Sequence, residues 1–288
     1  MLTSLIVRNN KVFFRDRMLV FFSLLSVLIS IGLFIVFLQK LQIAAISQVI
    51  EMTPAVELVV SQWMIAGILT MTAMTSTLAV FAIFVGDQES KRTADFLVTS
   101  ASRISIQLSY VISSVIVGFI MTAIAFIVCE IYLLTLGAQL PSVWKLMQLF
   151  GVIMLGVLLS AMINLVIVLL AKSAKAFSTV NSLVGTLIGF LCAVYVPMGV
   201  LPKAIQTVIH FFPVSHVAVL LRQFLMEDSL RTVFGNAEEA MNSYMLTYGV
   251  VYEVDGSILG TQSSVLFICS SIVGIAIFST ILFRLQHK

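Results

Sequence analysis

The chain has 288 residues, of which 60% are hydrophobic and only 10% charged; soluble domains carry about a quarter charged residues, so a water-soluble enzyme or binding module is excluded and an integral membrane protein is indicated. The net charge of +3 is too small to point to a nucleic-acid partner. Cys129, Cys192 and Cys269 stand singly in apolar runs with no ligand-like spacing and read as small hydrophobes.

Residues 1–17 are amphipathic at helical period. Leu2, Leu5, Ile6, Val12 and Phe13 share one face and Arg8, Lys11 and Arg15 another. The segment reads as a helix lying along the inner leaflet, or as a basic tail that only sets topology. The apolar run after it has full spanning length, unlike a cleavable signal peptide. Six spans are predicted: Met18–Leu38, Val59–Val85, Ser105–Leu136, Val143–Ala171, Phe177–Val196 and Ser263–Phe283. A cytoplasmic N-terminus places Arg8, Lys11, Arg15, Arg17, Lys91, Arg92, Arg103, Lys172, Lys175, Arg284 and Lys288 inside. Only Lys40, Lys145, Lys203, Arg222 and Arg231 then fall on or near the outside. The positive-inside rule therefore predicts both termini in the cytoplasm.

The loop 86–104 is the longest cytoplasmic one. Asp87 is predicted to cap a short helix with Glu89 in its first turn. Phe96, Leu97 and Val98 form an apolar knob among charges, which suits a docking surface or a dip into the bilayer interface. In the second span Thr70, Thr72, Thr75, Ser76 and Thr77 make a polar seam, which either lines a cavity or bonds back to its own helix. Glu130 and Lys145 flank the short connection Gly137–Ser142 and are expected to pair structurally across it. Asn164 is expected to hydrogen-bond a neighbouring helix, and Gly185, Gly189 and Ala193 form a small-residue ridge suited to close helix approach, across a dimer or within the chain.

After Pro197 come two apolar segments of about ten residues each, bounded by Pro202 and Pro213, too short to span as helices. Broken helices at membrane depth are tolerated only against protein or a water-filled path, so 197–223 is predicted to be a re-entrant hairpin on a transport pathway. His210 and His216, with no cysteine or carboxylate at ligand spacing, make a poor metal site. Residues 225–262 form an acidic cap on the outside, with a short helix expected near Ala237–Leu246. No internal repeat stands out. No Gly-x-x-x-x-Gly-Lys-Ser/Thr, HExxH or Gly-x-Ser-x-Gly string occurs, so the chain supplies neither an ATP site nor a recognisable hydrolase centre. No chain of carboxylates or histidines lies at mid-membrane depth, which argues against a self-contained ion-coupled transporter or channel.

An amphipathic start, six spans, an acidic-basic loop after the second and a Pro-broken hairpin before the last together resemble the ABC-2 type transporter permeases. The residues carrying the likeness are Gly185-Thr-Leu-Ile-Gly-Phe-Leu-Cys-Ala-Val-Tyr-Val-Pro-Met-Gly-Val-Leu-Pro-Lys203 and Phe212-Pro-Val-Ser-His-Val-Ala-Val-Leu-Leu-Arg-Gln223. They look like the bacterial drug- and antimicrobial-peptide-export branch. The resemblance implies a single all-α transmembrane domain over residues 1–288 in a bacterial cytoplasmic membrane. It would work as a pair, homo- or heterodimeric, with separate ABC ATPase subunits that bind ATP and Mg. It assigns coupling to Asp87, Glu89, Phe96 and Leu97, and an outer exit gate to Pro197, Pro202, Phe211, Phe212 and Pro213. It brings spans one and five to the subunit interface, which would put the Gly185–Gly189–Ala193 ridge there if it does not pack within the chain. A cavity lined by Thr72, Thr75 and Ser76 and rich in Met suits amphipathic substrates. Export of lipid-linked polysaccharide is the alternative within the same family, though Trp63 and Trp144 alone offer few sugar-stacking platforms.

Overall fold

The computed structural model describes residues 1–46, 54–98, 102–171, 173–235, 237–254 and 256–286. Helix α1 (Leu2–Arg15) turns at Asp16 into α2 (Arg17–Leu33), where the Asp16 carboxylate accepts from the Leu19 N–H at 3.0 Å and satisfies one orphan donor of the new helix. The helix widens into a π-turn over Phe34–Leu38 and continues as α3 (Gln39–Ile46). There follow α4 (Pro54–Glu89), α5 (Arg92–Leu97), α6 (Arg103–Thr135), α7 (Val143–Leu170) and α8 (Ala174–Leu191). A 3-10 turn at Met198–Val200 leads to α9 (Lys203–Phe211), α10 (Pro213–Phe234), α11 (Glu238–Thr247), a short antiparallel ladder of Glu253–Val254 with Ser257–Ile258, and α12 (Thr261–Gln286). Among the described residues six helices are long and apolar enough to cross a membrane. The expected all-α membrane architecture is therefore the one observed.

Helix α4 is the axis of the bundle: 72% of its most apolar stretch is buried, against 17% for α8 and 11% for α12. It packs on α6, α7 and α10. Asn164 of α7 reaches across to it, its Nδ2 donating to the Met74 carbonyl at 2.9 Å and to Thr77 Oγ1 at 2.8 Å. The approach of α6 is close enough to require glycine. A Cβ on Gly118 would lie 2.4 Å from Thr77 Cγ2 and 3.1 Å from Val157 Cγ1. Gly118→Val is expected to cost about 2–3 kcal/mol through overpacking, read as a lower melting temperature in nanodiscs. An unchanged melting temperature would show that α4 and α6 part more easily than this contact implies.

Two boundaries differ from expectation, each for a local reason. Helix α8 stops at Leu191 and not near Val196, because Ala193 takes a left-handed φ of 49° and the Val194 N–H returns to the Gly189 carbonyl at 2.8 Å. Of the two short segments predicted in the hairpin, α9 is one. The other is α10, 22 residues long, because no breaker intervenes between Pro213 and Gly235. The two helices meet at 89°. Val217 packs beside Gly156 midway along α7, while Asp228 pairs with Lys145 in the first turn of α7. Thus α10 rises from the middle of the bundle to the end opposite α1. The short cap helix expected near Ala237–Leu246 is α11.

Candidate coupling and gate sites

The residues expected to couple lie at the α1 end of the bundle. Asp87 sits in the last turn of α4 and does not cap the helix that follows. That helix is α5, which starts at Arg92 after Lys91 turns the chain with φ 58°. Asp87 is 2% exposed. Both its oxygens are taken by Arg8 of α1: Nη2 donates to Oδ1 at 2.9 Å, and Nη1 donates to Oδ2. Tyr110 of α6 donates its hydroxyl to Oδ2 at 2.6 Å, and Arg92 of α5 approaches Oδ1 at 3.4 Å. A buried carboxylate needs this many donors, since an unpaired one is strongly destabilising. Its hydrogen bond in turn raises the Arg8 pKa above the ordinary guanidinium value.

This network corrects the reading of α1. The buried face is Leu5, Asn9 and Phe13, with Arg8 leaning toward it and Val12 exposed. Asn9 Nδ2 donates to Ser109 Oγ at 3.2 Å, so α1 is held to α6 by polar bonds as well as by its apolar stripe. Glu89 accepts from the backbone N–H of Ala174 at 3.1 Å, which places a negative charge at the N-terminus of α8. The expected apolar knob is divided. Phe96 turns inward beneath the Arg8 guanidinium, 5.4 Å from its ring centre, and Val98 is 89% exposed. The side chain of Leu97 lies outside the described residues.

At the far end the three prolines mark turns as expected from their chemistry. Pro197 opens the 3-10 turn, Pro202 precedes α9 and Pro213 is the first residue of α10, where its missing N–H is harmless. Phe211 and Phe212 point apart: Phe211 is 74% exposed and Phe212 packs on the main core. They do not form one plug within this chain. What holds the corner is Arg222 of α10, fully buried. Its Nη2 donates to the carbonyls of Cys192 and Ala193 at 2.9 and 2.8 Å, and its Nη1 to the Gly249 carbonyl at 3.1 Å. The guanidinium also stacks 5.0 Å from the Trp63 ring. Trp63 Nε1 donates to the Tyr248 carbonyl at 2.6 Å. One cation therefore joins α4, the end of α8, α10 and the turn after α11. His216 bridges the His210 carbonyl at 2.9 Å and Ser264 Oγ at 3.2 Å, tying α9 and α12 to the same corner.

A docked amphipathic helix, a six-span bundle around α4 and a right-angled broken helix before the last span set the frame for comparison with known proteins. The model of one family, the ABC-2 type transporter, matches residues 2–226. The chain belongs to the ABC-2 type transporter family. No curated protein matches it significantly. The matched residues run from α1 into α10, so the Arg8–Asp87–Tyr110 network and Arg222 both fall within the shared region of this ABC-2 protein. The family is one of membrane-embedded transport permeases.

Other residues singled out in the ABC-2 chain are placed as follows. The hydroxyls of Thr72, Thr75 and Ser76 bond to the carbonyls of Ile68, Met71 and Thr72 of their own helix, and Thr72 and Ser76 are buried. Of the two readings of this seam the back-bonded one is observed, and the three residues do not line the cavity at the far end. The small-residue ridge is shortened. Gly189 is covered by the Tyr195 ring, Ala193 lies beyond the helix, and only Gly185 faces open space. Glu130 and Lys145 line one cavity, but the Lys145 amine pairs with Asp228 at 2.6 Å and not with Glu130. The contacts made by Arg8, Tyr110, Arg92, Arg222 and Trp63 were not anticipated. The sequence signals were a tyrosine within the apolar run of α6 and an arginine directly after the apolar run Val217–Leu221 of α10.

Proposed function

We infer that this ABC-2 protein is the membrane subunit of an ATP-driven exporter. Two permease subunits pair, and a separate ATPase subunit that binds ATP and Mg works each of them. The assembly moves amphipathic or hydrophobic compounds, such as drugs, antimicrobial peptides or lipids, out across a bacterial cytoplasmic membrane. The α1 end then faces the cytoplasm and the Pro197–Pro213 corner faces out. The observation that carries this reading is the α4–α5 turn. Its residues from Gln88 to Arg92, with Asp95 and Val98, are exposed, while Asp87 beneath them is locked to α1 and α6 and Glu89 to α8. A push on such a turn is passed to four helices without loss in a soft linker. Pairing through α8 is supported by its exposed side, where Ser178, Asn181, Ser182 and Thr186 surround the open Gly185. Polar side chains on a span are better placed against a second subunit than against lipid.

Charge reversal at the exposed turn, Asp95→Lys with Val98→Asp, touches no buried group. With the partner ATPase in proteoliposomes, the double variant is expected to lose about tenfold in ATP-driven export and in ATPase capture, matching about 1.4 kcal/mol of lost docking, at an unchanged melting temperature. Full export by the variant, or transport by the chain alone without ATP, would overturn the assignment.

A further inference from the structure

The end of the bundle opposite α1 contains a cavity of about 660 Å³ between the start of α4, the α6–α7 connection and α10. That size suits a small molecule or a lipid headgroup. Two buried acceptors among the residues of its wall, Gln62 Oε1 and Glu130 Oε2, have no hydrogen-bond partner. Gln62 is only 8% exposed and lies eight residues into α4, about 12 Å below its first residue at 1.5 Å per residue. Buried polar atoms without partners are rare and call for a donor. The cationic side chain of the wall, Lys145, bonds Asp228 at 2.6 Å, and Glu130, Asp228 and Lys145 together leave the wall one formal negative charge. Leu58, Leu133, Leu149 and Leu225 make much of the remaining surface apolar.

We propose that this cavity is a binding site for a primary ammonium group carried on an apolar body. The N–H donors of an ammonium satisfy both orphan acceptors once those shielded oxygens turn toward it, and its charge offsets the formal negative charge of the wall. A hydroxyl offers one donor and no charge. A trimethylammonium offers the charge and no donor, so neither completes the site. An aminoalkyl amphiphile and a phosphatidylethanolamine headgroup share the required chemistry. The site lies within one chain and needs no ATPase, so it stands or falls apart from the transport reading.

The test is titration calorimetry of the full-length chain in maltoside micelles with octylammonium, octanol and octyltrimethylammonium, each against protein-free micelles. Octylammonium is expected to bind at least about tenfold tighter than the other two, and Glu130→Gln to abolish that preference. Lys145→Gln releases Asp228 and adds a net negative charge to the wall. It is expected to tighten octylammonium severalfold, a gain that misfolding does not produce. Equal binding of the three probes, a preference that survives Glu130→Gln, or no tightening by Lys145→Gln would overturn the site. In nanodiscs, competition by phosphatidylethanolamine assigns it to a lipid headgroup, and its absence assigns it to a free amphiphile.

Discussion

Arg8→Ala is expected to destabilise the protein by about 3 kcal/mol and to release α1 from the bundle. Removing one partner of a buried ion pair costs about 3–5 kcal/mol, and the low end applies because Arg8 retains 27% side-chain exposure and Arg92 still stands 3.4 Å from Asp87. Asp87→Asn is expected to cost less, about 1–2 kcal/mol, since the amide still accepts from Tyr110 and Arg8 can turn toward water. The pair Arg8→Ala with Asp87→Asn should then cost less than the sum, because no charge is stranded. Thermal unfolding in nanodiscs measures the energies, and trypsin cleavage at Lys11 and Arg15 in inverted vesicles reports whether α1 has come away. Strict additivity of the two substitutions would sink the claim that they act as one unit. If α1 stays protected in Arg8→Ala, then Asn9, Leu5 and Phe13 hold it without the ion pair.

Arg222→Met should have the second large effect, about 3–5 kcal/mol. The methionine fills much of the volume but leaves the carbonyls of Cys192, Ala193 and Gly249 without their donor, each an orphan acceptor worth about 1–3 kcal/mol where nothing else reaches it. Arg222→Lys is no rescue, because a single ammonium lacks the planar fork that reaches carbonyls on both sides. Trp63→Phe keeps a ring beneath the cation and loses the indole bond to Tyr248, so about 1 kcal/mol is expected. Besides the melting temperature, Cys192 gives a local readout. It is buried in the native corner, and maleimide labelling should rise steeply in Arg222→Met and little in Trp63→Phe. A normal melting temperature in Arg222→Met would mean that the corner is held by apolar packing alone.

The element pattern was legible because each signal is local. Apolar runs of spanning length, the polar faces of α1, and prolines at 197, 202 and 213 all act within a turn or two of chain. Partner choice was not local. Lys145 has Glu130 nearby in sequence, yet it pairs with Asp228, 83 residues away, because α10 climbs alongside α7 to its first turn. Asp87 looked like a helix cap because Asp before a polar stretch commonly is one. Helix α4 instead continues through it, and its true donors come from α1, α5 and α6. Phe96 looked like an exposed knob because neighbouring charges mark a surface loop. It lies under Arg8 because a buried carboxylate drew that arginine to the same spot.

By itself the sequence determined that this is a multi-pass helical membrane protein with an amphipathic start and a broken helix before its last span. Hydrophobicity, helical period and proline chemistry are properties of short stretches, and the bilayer admits few alternatives for them. Only the tertiary structure decided which charges meet, that Arg222 has carbonyls and an indole in place of a carboxylate, and that Lys145 bonds Asp228 and not Glu130 in the cavity the three share. Those outcomes depend on which helix faces stand together across the bundle, and a buried charge takes whatever partner the packing brings within hydrogen-bond reach.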